Sequence, residues 1–162
     1  VASVPHIYML GGFYVNAEGE ESFGQSPSGN TLSLYVLSLE QPDGPGKAPQ
    51  LVWKQGRWNA RATEMDAIPC PRQGHTATLH APYIYVFGGA NEEALENKLF
   101  RMDVRPDDAG NYIMSSLKAD MAPRSRRDHT SMILGSRYLV IYGGHGKRES
   151  GGSGSLAELV GQ

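Results

Sequence analysis

Three times in 162 residues a short apolar run ends in a glycine pair: "HIYMLGG" at Gly11-Gly12, "YIYVFGG" at Gly88-Gly89 and "YLVIYGG" at Gly143-Gly144. A recurrence of this kind constrains the fold more than composition does, because it makes each run one copy of a unit instead of a unique core strand. A second motif is phased with it. "PCPRQGHT" from Pro69 and "PRSRRDHT" from Pro123 both read Pro-x-x-Arg-x-x-His-Thr, so that Pro69, Arg72 and His75 each lie 54 residues before Pro123, Arg126 and His129. A third follows the glycines: "LFRMD" at Leu99 parallels "LYVLS" at Leu34, each shortly after an asparagine, Asn97 or Asn30.

Assembled, one unit is predicted to be four short strands joined by turns, a period that suits a propeller blade. In the central unit the strands are predicted at about 74 to 80, 83 to 88, 98 to 104 and 111 to 116. "NEEALENKLF" has a partly helical pattern, but it is short and precedes a repeat-matched strand, so it reads as a loop. Glycine is needed where backbones approach closely or φ turns positive, and β-branched and aromatic residues fill the space between blades. A single blade cannot bury both of its faces and needs neighbours.

This order of apolar strand, Gly-Gly, loop, Asn-x-Leu-aromatic-x-apolar-Asp and Pro-x-x-Arg-x-x-His resembles the kelch repeat, over nearly the whole chain. The resemblance implies an all-β fold, a β-propeller of four-stranded antiparallel blades, with about two and a half blades present: portions about 1–56, 69–116 and 123–162 of one partial propeller and no second domain. Trp53 in "LVWKQ" resembles the fourth-strand tryptophan of the family, whereas the central unit offers Tyr112 or Met114 instead. Kelch-like propellers of six or seven blades at about 50 residues each need roughly 300 residues. Gly11-Gly12 is preceded by too few residues for a first Pro-x-x-Arg-x-x-His, so the expectation is an ordered portion of a larger propeller, or a ring whose remaining blades come from another chain. An open set of blades leaves apolar faces and strand edges at both ends.

Bulk properties exclude several classes of function. With a net charge of -2 the chain has no overall bias toward nucleic acid or an anionic membrane. Cys70 is the lone cysteine, so no intrachain disulfide exists, and the expected location is cytoplasmic, or else nuclear. No run approaches the roughly 20 apolar residues of a membrane span, and "VASVPHIYMLGG" lacks the basic start and apolar core of a signal peptide.

A catalytic site is not predicted, and neither a cofactor nor a metal. "GGHGKRES" fails as a phosphate loop, because Ile141 stands where the earlier glycine belongs and Arg148 replaces the Ser or Thr that would hold magnesium. His75 and His80 are five apart on one expected strand and point to opposite faces, so they cannot share a metal. Asp128, His129 and Ser131 make a triad by name only, since adjacent strand residues face apart. Galactose-oxidase-like propellers are copper oxidases that need several Tyr and His ligands and a modified cysteine; Cys70 sits in a proline-flanked loop with no such set nearby. His75 and His129, at equal repeat positions, are expected to be structural, each imidazole packed on an inner strand with its nitrogens bonded to a loop.

Binding is expected on loops. Connections between strands 2 and 3 and between strands 4 and 1 fall on one end of an up-and-down blade, and these carry Arg57, Trp58, Arg61, Arg72, Arg124, Arg126 and Arg127, with His145, Lys147 and Arg148. Glu18, Glu20, Glu21, Glu92, Glu93 and Glu96 share that end. Arginine engages carboxylates bidentately and anchors interfaces. In kelch adaptors of ubiquitin ligases the Arg of Pro-x-x-Arg helps to hold acidic peptides, and the resemblance extends that role to Arg72 and Arg126; the alternative is that both bond to neighbouring blade loops. The predicted role is therefore a non-catalytic module for an acidic protein or peptide, contacted through Arg72, Arg124, Arg126, Arg127, Lys147, Arg148, Arg57 and Trp58. The alternative is a scaffold or regulatory propeller within a larger protein, such as one attached to a phosphatase. The long segment 13–30 is expected to be a contact loop or disordered, and "QPDGPGKAP" at 41 to 49 a spacer turn.

Overall fold

The computed structural model describes residues 6–15, 17–23, 31–59, 68–118 and 122–146. Among these there is no helix, and the strands fall into three successive blades. The first contains β1 (His6–Leu10), the short hairpin β2 (Phe13–Val15) and β3 (Glu21–Phe23), then β4 (Leu34–Glu40) and β5 (Gln50–Gln55). A two-residue strand, β6 (Arg57–Trp58), follows. The second holds β7 (Thr76–His80), β8 (Tyr83–Phe87), β9 (Leu99–Asp103), β10 (Asn111–Tyr112) and β11 (Met114–Leu117). The third holds β12 (Arg126–Arg127), β13 (Thr130–Leu134), β14 (Tyr138–Tyr142) and β15 (His145–Gly146).

The central blade is a four-stranded antiparallel sheet in the order β11-β9-β8-β7, and the first repeats its outer three strands as β1-β4-β5. The helical-looking segment before Leu99 is a turn closed by the Ala90–Leu95 bridge, as the sequence implies. One boundary is corrected. The predicted fourth strand at 111 to 116 is divided: Asn111–Tyr112 leaves the sheet to pair in parallel with β6 of the first blade, and β11 alone pairs with β9.

Register decides which side chains meet. Directly opposed residues of paired strands share a face, so Ile84, Val86, Phe100, Met102 and Met114 form one face of the central blade. All five are buried, against Leu10, Leu34 and Val36 of the first blade. The opposite face, with Phe87 and Leu99, packs on Leu139 and Ile141 of the third blade, flanked by Tyr85, Leu117 and Ile133. Full burial of such a side chain stabilises by roughly 1.5–3 kcal/mol. Each blade thus has a face toward its predecessor and a face toward its successor.

That sidedness explains the tryptophan. Trp53 pairs with Leu37 as Met114 pairs with Met102, so Met114 occupies in the second blade the place of Trp53 in the first. Met114 is 2% exposed because the first blade covers it; Trp53 is 51% exposed, on the predecessor-facing side of the first blade. Ile7, Met9 and Leu51 are exposed on the same side. The successor-facing side of the third blade likewise shows Met132, Leu134 and Tyr142 to solvent.

The glycine pair is the hinge of each blade's inner end. Gly88 and Gly89 have φ of 66° and 91°, in the left-handed region that glycine tolerates. A Cβ on Gly88 would lie 2.7 Å from the Arg126 carbonyl oxygen, and one on Gly89 2.9 Å from Cβ of His75.

Candidate functional site

The arginines of Pro-x-x-Arg are positioned by the turns they follow. Arg72 is 1% exposed. Its Nη1 donates to the Gly88 carbonyl at 3.0 Å, its Nε to the Cys70 carbonyl at 3.1 Å and its Nη2 to Cys70 Sγ at 3.2 Å, while the guanidinium lies 5.4 Å from the Phe100 ring centre. Arg126 repeats the geometry, with Nε on the Arg124 carbonyl at 3.1 Å and Nη1 on the Gly143 carbonyl at 2.9 Å. Each arginine therefore clamps the first carbonyl of its own blade's glycine pair. For Arg72 this corrects the expectation of a partner contact: no face of the guanidinium is left for a ligand. Arg126 makes the same clamp but stays half-buried.

Trp58 is corrected too. Its Nε1 donates to the Leu32 carbonyl at 2.7 Å, and its ring packs against the core between the first and second blades. Arg57 is exposed, but its strand pairs with Asn111–Tyr112, and the neighbouring Asn59 amide donates to Asp107 Oδ2 at 2.7 Å. Both therefore lie where the connection from the first blade to the second meets β10, with Trp58 packed into the core between the two blades. The polypeptide leaving the first blade crosses to the entry of the second blade's fourth strand, which sequence spacing does not show.

What remains together is built by the pairing of β12 with β15, which sets Arg127 opposite His145 and Arg126 opposite Gly146. Arg124 is exposed two residues before Arg126. Asp128 is drawn into this group, 3.6 Å from Arg127 Nε and 3.8 Å from His145 Nδ1, with about half of its side chain exposed. Surface ion pairs of this kind contribute about 0–1 kcal/mol. Lys147, Arg148 and Arg61 lie outside the described residues, as do residues 24–30.

The histidines are structural joints. The His129 ring meets Phe87 of the preceding blade edge-on at 5.4 Å, and its Nε2 is 2.9 Å from Thr76 Oγ1. Two residues on, Ser131 Oγ hydrogen-bonds Thr78 Oγ1. His75 is placed the same way against the first blade, its Cε1 3.2 Å from where a Cβ on Gly11 would stand. Burial, and next the Arg72 charge, push His75 down to about 4; burial, and next Arg126, lower His129. For His129 the expected loop contact is thus joined by one to the inner strand of the preceding blade. Nδ1 of both rings is buried without a hydrogen bond among the described residues. No group of three His, Cys, Asp or Glu side chains among the described residues could hold a metal.

Cys70 has a part that sequence reading missed. Its sulfur accepts from Arg72 Nη2 and, at 3.1 Å, from Asn91 Nδ2, tying the Pro-x-x-Arg loop to the loop after Gly89. The strand-to-strand bonds Thr76–His129 and Thr78–Ser131 were also not foreseen, although the shared His-Thr phase was their signal.

No family model matches the chain, and no solved structure does. Among curated proteins, a probable serine/threonine-protein kinase of Dictyostelium discoideum is 34% identical over 89 residues, 55% of this chain and 6% of its own length. Adagio-like protein 3 of rice (Oryza sativa subsp. japonica) is 28% identical over 127 residues, 78% of this chain and 17% of its own. Human host cell factor 1 is 26% identical over 106 residues, 57% of this chain and 5% of its own. The chain therefore spans less than a fifth of the length of each of these relatives. With the antiparallel blades and the phased glycine, arginine and histidine motifs, these matches support, at low identity, repeats of the kelch type.

Proposed function

We propose that this chain is a non-catalytic protein-interaction module whose arginine-bearing end receives an acidic peptide segment. The observation that carries the reading is the β12–β15 pair, which brings Arg126 and Arg127 beside His145, with Asp128 within ion-pair distance of Arg127 and His145. Arginine at such a place offers bidentate donors to carboxylates. The relatives lend support of a different kind: proteins named as a probable kinase, an Adagio-like protein and a host cell factor share a stretch with this chain, and one stretch common to such unlike names is more economically a module than a catalytic centre.

The test is fluorescence anisotropy with a labelled peptide rich in Asp and Glu, titrated at low and high salt. Binding should weaken with salt and fall at least tenfold in Arg124→Glu/Arg127→Glu, a pair that leaves the clamp of Arg126 intact. Equal binding by that variant, or none by the parent chain, overturns the reading. A scaffold role within a larger polypeptide is the second reading, favoured by the exposed apolar sides of the first and third blades.

A further inference from the structure

At position 128 the repeat changes its chemistry but not its backbone. Asp128 lies 54 residues after Gly74, at the same place in the motif. Both sit in the left-handed region, with φ of 56° for Asp128 and 65° for Gly74. That conformation suits glycine, and aspartate and asparagine are among the few residues with a side chain that tolerate it. A second glycine would serve the turn equally well, so the carboxylate is an addition to the blade and not a requirement of it.

The position of that carboxylate is well defined. The Asp128 N–H donates to the Gly74 carbonyl at 2.8 Å, and a Cβ placed on Gly74 would stand 2.5 Å from Asp128 Oδ1. The carboxylate therefore packs on backbone that only glycine leaves bare. Oδ2 lies 3.6 Å from Arg127 Nε and 3.8 Å from His145 Nδ1. Both distances are too long for a hydrogen bond, so neither pairing consumes a donor of Arg127 or a lone pair of Asp128. About half of each of these two side chains is open to solvent. A cation and an anion thus stand side by side on the arginine-bearing end, each able to take a ligand group of its own.

We infer that Arg127 and Asp128 form a paired subsite for a mixed-charge protein segment, in which an acidic residue meets Arg127 and a basic residue two positions along meets Asp128. The inference rests on the acidic-segment reading and narrows it. In an extended peptide alternate side chains share a face, about 6.6 Å apart. The long stems of Glu and Lys let their charges converge on a pair 3.6 Å apart. A segment with acids alone brings a second carboxylate up to Asp128, and like charges in contact oppose binding. Asp128 is then the element that separates a mixed segment from a uniformly acidic one.

The test is anisotropy at low salt and neutral pH with two labelled peptides, one repeating Glu-Gly-Lys-Gly and one with Gln in place of every Lys. The parent chain is expected to favour the Lys peptide at least threefold. Asp128→Asn keeps a residue that tolerates positive φ, and Asp128→Gly restores what stands at Gly74. Both should shift the ratio of the two affinities at least fivefold toward the Gln peptide, and circular dichroism verifies that both keep the parent's strand content. Glu93→Gln removes the same charge from the exposed turn whose Glu96 carbonyl accepts the Arg126 N–H at 3.1 Å, and should leave the ratio unchanged. A parent that prefers the Gln peptide, a ratio that Asp128→Asn does not move, or one that Glu93→Gln moves as far, overturns the paired subsite. The acidic-segment reading survives each of these results if Arg124→Glu/Arg127→Glu still weakens the Gln peptide at least tenfold. Indifference of both peptides to those arginines, or no binding of either by the parent, overturns both.

Discussion

Arg72 and Arg126 occupy the same repeat position and make the same clamp, yet their surroundings differ. The guanidinium of Arg72 is sealed under Phe100, so its loss strands the Gly88 and Cys70 carbonyls in a dry environment. Arg72→Ala is expected to cost about 3 kcal/mol, on the scale of hydrogen bonds to a charged group that are lost with desolvated partners left behind. Arg126→Ala, where water can replace the donor, should cost about 1 kcal/mol. Urea unfolding with matched m-values reads both; equal costs would mean that burial does not distinguish the two clamps. His75 gives the chain a pH dependence with a defined sign. Its folded pKa, about 4, lies below the ordinary 6.5, so the unfolded chain binds the additional proton as pH falls through that interval. The stability contributed by neutral His75 is complete above pH 6.5 and is lost progressively toward pH 4, a decline of roughly 3 kcal/mol. His75→Asn should flatten that decline in urea midpoints taken between pH 7 and 4.5, and a variant as acid-sensitive as the parent would place the proton elsewhere.

At the scale of strands and blades, the period was legible and the sidedness was not. Gly-Gly and Pro-x-x-Arg-x-x-His located the blades and three of the four central strands to within a few residues, because those residue types answer to local backbone demands. Trp53 and Met114 share a structural place but not a chemistry, so no motif could align them; only the pairing of each with its third strand does. The burial of Arg72 was hidden for a similar reason: an arginine in a proline-rich loop reads as surface until Phe100, distant in sequence, is brought over it. The pairing of Arg57 and Trp58 with Asn111–Tyr112 was hidden because the length of a connection does not say what it crosses on the way. The shared place of Trp53 and Met114 allows a direct comparison. Met114→Ala empties a site packed by the neighbouring blade and should cost about 2–5 kcal/mol, whereas Trp53→Ala, on an uncovered face, should cost less than about 1. Equal losses by urea titration would mean that the outer face of the first blade is covered in solution.

For the whole molecule, stacked repeats are stabilised by the sum of blade stabilities and the joints between them. The described blades form two joints, and the outermost faces are as apolar in pattern as the buried ones: Ile7, Met9, Leu51 and Trp53 at one end, Met132, Leu134 and Tyr142 at the other. Apolar faces of this kind mark interaction surfaces, and when left open they promote association. Stability and solubility should therefore respond to different residues. Leu51→Lys with Met132→Glu puts charge on both open faces without touching either joint, so the urea midpoint should hold while aggregation at raised concentration, followed by light scattering, slows severalfold. Val86→Ala, at the centre of the first joint, should do the reverse: it lowers the midpoint by about 1–3 kcal/mol and hastens aggregation by populating opened blades. If the doubly charged variant unfolds as readily as Val86→Ala, the end faces contribute to the fold of the isolated chain, and the separation between buried joints and open faces fails.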